Sequence, residues 1–141
     1  MKKIVIMTHA GLAQGAKETV QFLAGNCELT AVSCFTEEMH PDHYIETLLQ
    51  NKKPEETLII LTDLKGGSVN QKVAQHCLQH DFYLITGFNL ALLLELSVAD
   101  EAMINPAYLR EVVEKAKQEI VLMNDALQDL PANEDFDFFE A

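Results

Sequence analysis

Hydrophobic positions along the chain follow two alternating spacings. Ile4 to Met7 is an unbroken apolar run that stops at Thr8-His9-Ala10-Gly11, and apolar residues then recur at Leu12, Ala16, Val20 and Leu23. The continuous run predicts a strand buried on both faces, and the wider spacing predicts a helix that ends at Gly25-Asn26. "ELTAVSCF" (28–35) is strand-like, and Pro41 suits the first turn of a helix that turns Ile45, Leu48 and Leu49 inward. "TLIILTD" (57–63) reads as a third buried strand, followed by a helical stripe of Val69, Val73, Ala74, Cys77 and Leu78. "DFYLITG" (81–87) is the fourth strand, and "NLALLLELSVA" (89–99) is a helix apolar nearly all round. Pro106 opens a long helix that carries Leu109, Val112, Ala116, Ile120, Met123 and Leu127 on one side.

Strands that alternate with helices imply βαβ units joined by right-handed crossovers. The fold expected is therefore α/β: an open, doubly wound, mainly parallel sheet of strand order 2-1-3-4 with helices on both faces. One domain over residues 1–128 is expected, with 129–141 an acidic, flexible tail in which Phe136, Phe138 and Phe139 are the aromatic positions. The all-round apolar helix at 89–99 exceeds what a chain this short has elements to cover, so a homodimer is expected.

In this topology ligands sit beyond the carboxyl ends of the strands, at the switch point between strands 1 and 3. His9 ends strand 1 and Asp63 ends strand 3, so the two residues should meet there. After Asp63 the chain reads Leu64-Lys65-Gly66-Gly67-Ser68 and enters a helix. Glycines between a strand and a helix start leave backbone N–H groups able to point at an anion, though the spacing is not that of a P-loop. An imidazole, a carboxylate and a phosphate-sized nest suit phosphoryl transfer. The carboxylate fixes one ring nitrogen as N–H, which leaves the other as a nucleophile for phosphorus.

Each residue also has a purely structural use. Asp63 can serve as a loop or helix-entry residue, Gly66-Gly67 can relieve backbone strain, and "SVNQ" matches a capping box from Ser68 to Gln71. His76 and His80 are spaced to share one helix face, but "HCLQH" lacks the glutamate of the zinc-protease motif, and no metal or cofactor is expected. His40 and His43 flank Pro41 without a recognisable motif, and Cys77 belongs to an apolar stripe, which predicts a core position.

Charge narrows the partners. Across 141 residues, 22 acidic side chains against 10 basic ones give a formal charge of −12, which disfavours nucleic acid and anionic membranes. Three cysteines with no C-x-x-C spacing suit a reducing compartment. The N-terminal apolar run is too short for a signal peptide and nothing reaches membrane-spanning length, so a cytoplasmic protein is expected.

"IVIMTHAG" followed by "LIILTDLKGGS" resembles the IIA domain of the mannose-type sugar phosphotransferase system, and "ITGFNLALLLE" (85–95) resembles a further stretch of that family. Together these stretches span the chain from about residue 3 to about residue 125. The resemblance implies a dimeric phosphocarrier enzyme subunit. His9 would accept a phosphoryl group from phospho-HPr and pass it to a IIB component, with the membrane IIC and IID components further along the route. It implies Asp63 as the partner of His9 and Ser68 near the phosphoryl group; Thr8, Gly66 and Gly67 complete the expected phosphate-binding set. The chain departs from the family in having Val69 where proline is usual after G-G-S, with Asn70 one position early; Lys65 stands where relatives are often aromatic or apolar. A regulatory phosphocarrier of the dihydroxyacetone kinase type and a non-catalytic anion-binding module are the alternatives.

Overall fold

The computed structural model describes residues 1–35 and 41–129, so His40, Phe136, Phe138 and Phe139 lie outside it. Four parallel strands form one sheet: β1 (Lys2–His9), β2 (Leu29–Cys34), β3 (Thr57–Thr62) and β4 (Tyr83–Thr86). Their order is β2-β1-β3-β4, as the alternation predicts. Successive residues of a strand point to opposite faces, so the apolar run of β1 feeds two cores. Ile4 and Ile6 pack with Ile59 and Leu61 of β3 under α1 (Leu12–Ala24), α4 (Leu90–Val98) and α5 (Pro106–Lys117). Val5 and Met7 pack with Leu58 and Ile60 under α2 (Pro41–Gln50) and α3 (Ser68–Ala74). A short α6 (Met123–Gln128) follows.

Three helical expectations are corrected. The inward face of α1 is Ala13, Ala16, Val20 and Ala24, whereas Leu12 and Leu23 are exposed; small residues let α1 lie close to the sheet and to α4. Helix α3 stops at Ala74, which leaves Cys77 and Leu78 exposed in a run of turns instead of in the core. The helix opened by Pro106 is not continuous to Leu127, for α5 ends at Lys117 and Ile120, Val121 and Leu122 stand exposed before α6.

The apolar α4 is largely covered within one chain. Leu92, Leu93 and Leu96 are buried against the sheet, α1 and α5, and Leu90 and Val98 are exposed. Both ends of α4 are fixed by polar groups. Asn89 Oδ1 accepts from Leu92 N–H at 3.0 Å while its Nδ2 donates to Ala116 C=O at 2.7 Å. Lys2 Nζ donates to the carbonyls of Leu96, Ser97 and Ala99 at the other end. The "GFN" stretch thus docks α4 on α5.

Candidate functional site at the switch point

Strand β1 outruns β3: the last paired row is Met7 with Thr62, and β1 continues through His9. Asp63 therefore rises beside the last residues of β1. Its Oδ2 accepts from the His9 backbone N–H at 2.9 Å and meets the ring Nδ1 at 2.8 Å, while its Oδ1 accepts from Leu64 N–H at 3.0 Å. The carboxylate is nearly buried. Burial alone would raise its pKa, but the hydrogen bonds from the His9 backbone and ring outweigh that cost and hold the carboxyl below its ordinary value.

An ionised carboxylate only accepts hydrogen bonds, so Nδ1 of His9 carries the proton and Nε2 has the free lone pair. Nε2 faces Ser68 Oγ at 3.0 Å, and the hydroxyl donates to it. The ring of Phe35 is stacked on the imidazole with centroids 5.6 Å apart and planes inclined by 24°. The His9 side chain is 39% exposed, so its nucleophilic edge is open to an incoming group.

The loop after Asp63 has the shape this arrangement needs. Gly67 N–H donates to Leu64 C=O at 3.0 Å, closing a tight turn with Gly66 at φ +73° in its third position. Gly67 supplies space: a Cβ there would meet the Leu64 side chain and carbonyl at 3.2 Å and His9 Cε1 at 3.6 Å. With its N–H spent on the turn, Gly67 is not the free donor the nest expectation required. Lys65 is exposed at the turn.

Ser68 and Thr8 also depart from expectation. Gly67, and not Ser68, occupies the N-cap of α3, and Gln71 reaches back to Gly66 C=O at 2.7 Å. The capping box is absent, which leaves the Ser68 hydroxyl to the imidazole. Thr8 is fully buried and its Oγ1 accepts from Ala13 N–H at 2.8 Å, satisfying a first-turn donor of α1. It shapes the turn that delivers His9 and does not face the site. Asn70, the early asparagine, accepts from the buried Thr62 hydroxyl at 3.1 Å and so ties α3 to the end of β3.

No motif pointed to Phe35. The available signal was its place at the end of strand 2, which the 2-1-3-4 order sets beside the end of strand 1.

Among the described residues, the other histidines are not brought to the site. His76 and His80 lie in the turns after α3 with ring centroids 5.8 Å apart, and His43 is exposed on α2. Among the described residues there is no group of three or more His, Cys, Asp or Glu side chains able to hold a metal, and no helix long and apolar enough to cross a membrane.

Residues 3–115 match the family of PTS system fructose IIA components. No curated protein matches by sequence. Among solved structures, a PTS IIA protein associated with the fucose utilization operon of Streptococcus pneumoniae is 27% identical at TM-score 0.77, covering 89% of this chain and 96% of that one. A putative phosphoenolpyruvate-dependent sugar phosphotransferase system permease from Klebsiella pneumoniae is 23% identical at TM-score 0.79, covering 89% and 93%. A mannose/sorbose specific IIA subunit from Enterococcus faecalis is 18% identical at TM-score 0.73, covering 93% and 98%. The last two, at these identities, speak to the fold alone.

Proposed function

Because the chain belongs to the fructose/mannose IIA family of the phosphotransferase system, and so is a IIA component with a general phosphotransfer role, we propose that His9 is its phosphoryl carrier. In this reading Nε2 attacks the phosphorus of phospho-HPr. A new Nε2–P bond forms as the donor's P–N bond breaks, and the released electron pair returns to the donor's ring nitrogen. A IIB component then takes the group by the same exchange. The observation that carries the reading is the double hold of Asp63 Oδ2 on His9, at backbone N and ring Nδ1, which leaves Nε2 as the open nucleophile.

Asp63 supplies two things. Before transfer it fixes the tautomer and the ring angle. After transfer it faces an imidazolium, with H on Nδ1 and phosphoryl on Nε2, and its negative charge offsets that positive one. Ser68 holds the Nε2 lone pair in the resting state. Once Nε2 is bonded to phosphorus, the same hydroxyl is free to donate to a phosphoryl oxygen.

The test is incubation with labelled phosphoenolpyruvate, enzyme I and HPr. His9→Ala is expected to abolish labelling, and alanine at His40, His43, His76 or His80 to preserve it. Loss of label in a folded His76→Ala variant, or an unlabelled wild type, contradicts the reading; the second result is the one an anion-binding module would give.

A homodimer is part of the same proposal, built on the helix opened by Pro106 and the edge strand β4 instead of on the helix at 89–99. An apolar groove of about 510 Å³ runs between the edge strand β4 and α5, lined by Tyr83, Ile85, Leu109 and Val113. A smaller one continues past Ile85 and Val113 to Ile120. Ile120 lines it and, like the following Val121 and Leu122, is exposed, and an edge strand invites pairing. Light scattering at micromolar concentration that returned the monomer mass of 15.8 kDa would contradict a dimer.

A further inference from the structure

Phe35 presents its ring to the imidazole from a backbone conformation that costs the chain something. Its φ is +59°, in the left-handed region that favours glycine, and a bulky aromatic stays there only when its surroundings hold it. The surroundings are visible in the ladder. His9 and Cys34 are paired across β1 and β2, and the next N–H, that of Ala10, donates to Cys34 C=O at 3.2 Å. Ala10 is itself left-handed, with φ +48°. Both parallel strands therefore turn at the same row, and that shared turn stacks Phe35 on His9. Burial does not account for the aromatic, since Phe35 is 51% exposed. Glycine at this position would make the turn without strain.

We propose that Phe35 is a positioning residue for His9, holding the imidazole plane and stabilising the positive charge the ring acquires with the phosphoryl group. The proposal rests on His9 as the phosphoryl carrier. In the resting state the neutral imidazole stacks on Phe35. When the Nε2–P bond forms, the ring keeps its proton on Nδ1 and becomes a cation. A cation over an aromatic face is attracted by the ring's quadrupole. Asp63 meets that charge at the edge of the imidazolium, and Phe35 meets it at the face. The two contacts are complementary because they occupy different directions around one ring. Ser68 at Nε2 and Gly67 beside Cε1 are the other groups placed around it.

The test is the equilibrium distribution of labelled phosphoryl group between HPr and the chain, measured for wild type and for Phe35→Leu, Phe35→Gly and Phe35→Tyr. An equilibrium constant does not depend on how well the donor docks, so it isolates the stability of phosphorylated His9. Leucine and glycine are expected to shift it toward HPr by roughly 2–5-fold, the scale of an exposed cation–π contact, and tyrosine to restore the wild-type value. Phe35→Gly should melt no lower than wild type, because glycine accepts the positive φ. A purely structural Phe35 would give the opposite split, with stability lost and the equilibrium unmoved. Wild-type equilibria in both the glycine and leucine variants overturn the proposal. If wild type takes no label at His9, the carrier reading fails, and the charge-stabilising role fails with it. Proton NMR of the unphosphorylated protein then still decides on the positioning: upfield ring-current shifts of the His9 ring protons that vanish in Phe35→Leu support it, and their absence from wild type overturns it.

Discussion

Two sets of histidines in this chain differ in almost everything except the residue. His76 and His80 sit in the turns after a short helix, with their rings tilted against each other. His9 is held at Nδ1 by a nearly buried carboxylate, met at Nε2 by a hydroxyl and stacked on one face by Phe35. An unconstrained imidazole exchanges tautomers and rotates freely. A constrained one presents one chosen nitrogen in one direction. The chemistry of the site lies in the neighbours that β3, α3 and β2 bring to the end of β1.

The largest effect is expected at His9 itself. His9→Ala is expected to remove all phosphoryl transfer in the coupled assay with HPr, with an intact fold by circular dichroism.

Next in size is Asp63→Asn. An asparagine can turn its N–H₂ toward Nδ1, which favours the tautomer whose lone pair is on the wrong nitrogen, and it removes the charge that faces the imidazolium. Loss of such a supporting carboxylate typically costs on the order of 10–100-fold. Rapid-quench transfer from phospho-HPr should slow by at least that much.

The same variant reports on stability against pH. The Asp63 carboxyl lies lower in the folded protein than in the unfolded chain, so the folded state binds fewer protons. Its contribution is therefore complete above the unfolded carboxylate value of about 4 and is lost as pH falls through the lower folded value. Urea unfolding should show wild type ahead of Asp63→Asn by about 1–3 kcal/mol at pH 7, with the gap closing below about pH 4. A gap independent of pH would mean that the charge of Asp63 contributes nothing.

Ser68→Ala removes one neutral hydrogen bond to Nε2 and should slow transfer by about 2–10-fold, the usual worth of such a bond. The smallest effect is expected at the contrasting pair, where the double substitution of His76 and His80 by alanine should leave transfer kinetics within error of wild type.

How far the sequence carried depended on where each signal came from. The strands were legible because runs such as "TLIILTD" have one physical explanation, burial on both faces. Their order then set His9 beside Asp63 with no further information. The helix limits were less legible. The stripe from Leu109 to Leu127 keeps its spacing through Ile120, yet α5 ends at Lys117 and the apolar residues beyond it are exposed, so periodicity alone did not say which turns have something to pack against. Ser68 fitted a capping box by spacing, but with Gly67 at the N-cap its hydroxyl goes to the imidazole. Thr8 stood beside His9 in sequence, while strand alternation turned it inward to α1. Phe35 had no local signature, because its role arises from two strands turning at one row.

If Asp63 reserves Nδ1, as proposed, the phosphoryl group is directed to Nε2 of His9. Nitrogen-15 labelling of the histidines with phosphorus-31 NMR of the phosphorylated protein identifies the bonded nitrogen directly. A single phosphohistidine is expected, with phosphorus coupled to Nε2 of His9 and a proton retained on Nδ1. Phosphorus on Nδ1, or on any other histidine, would contradict it.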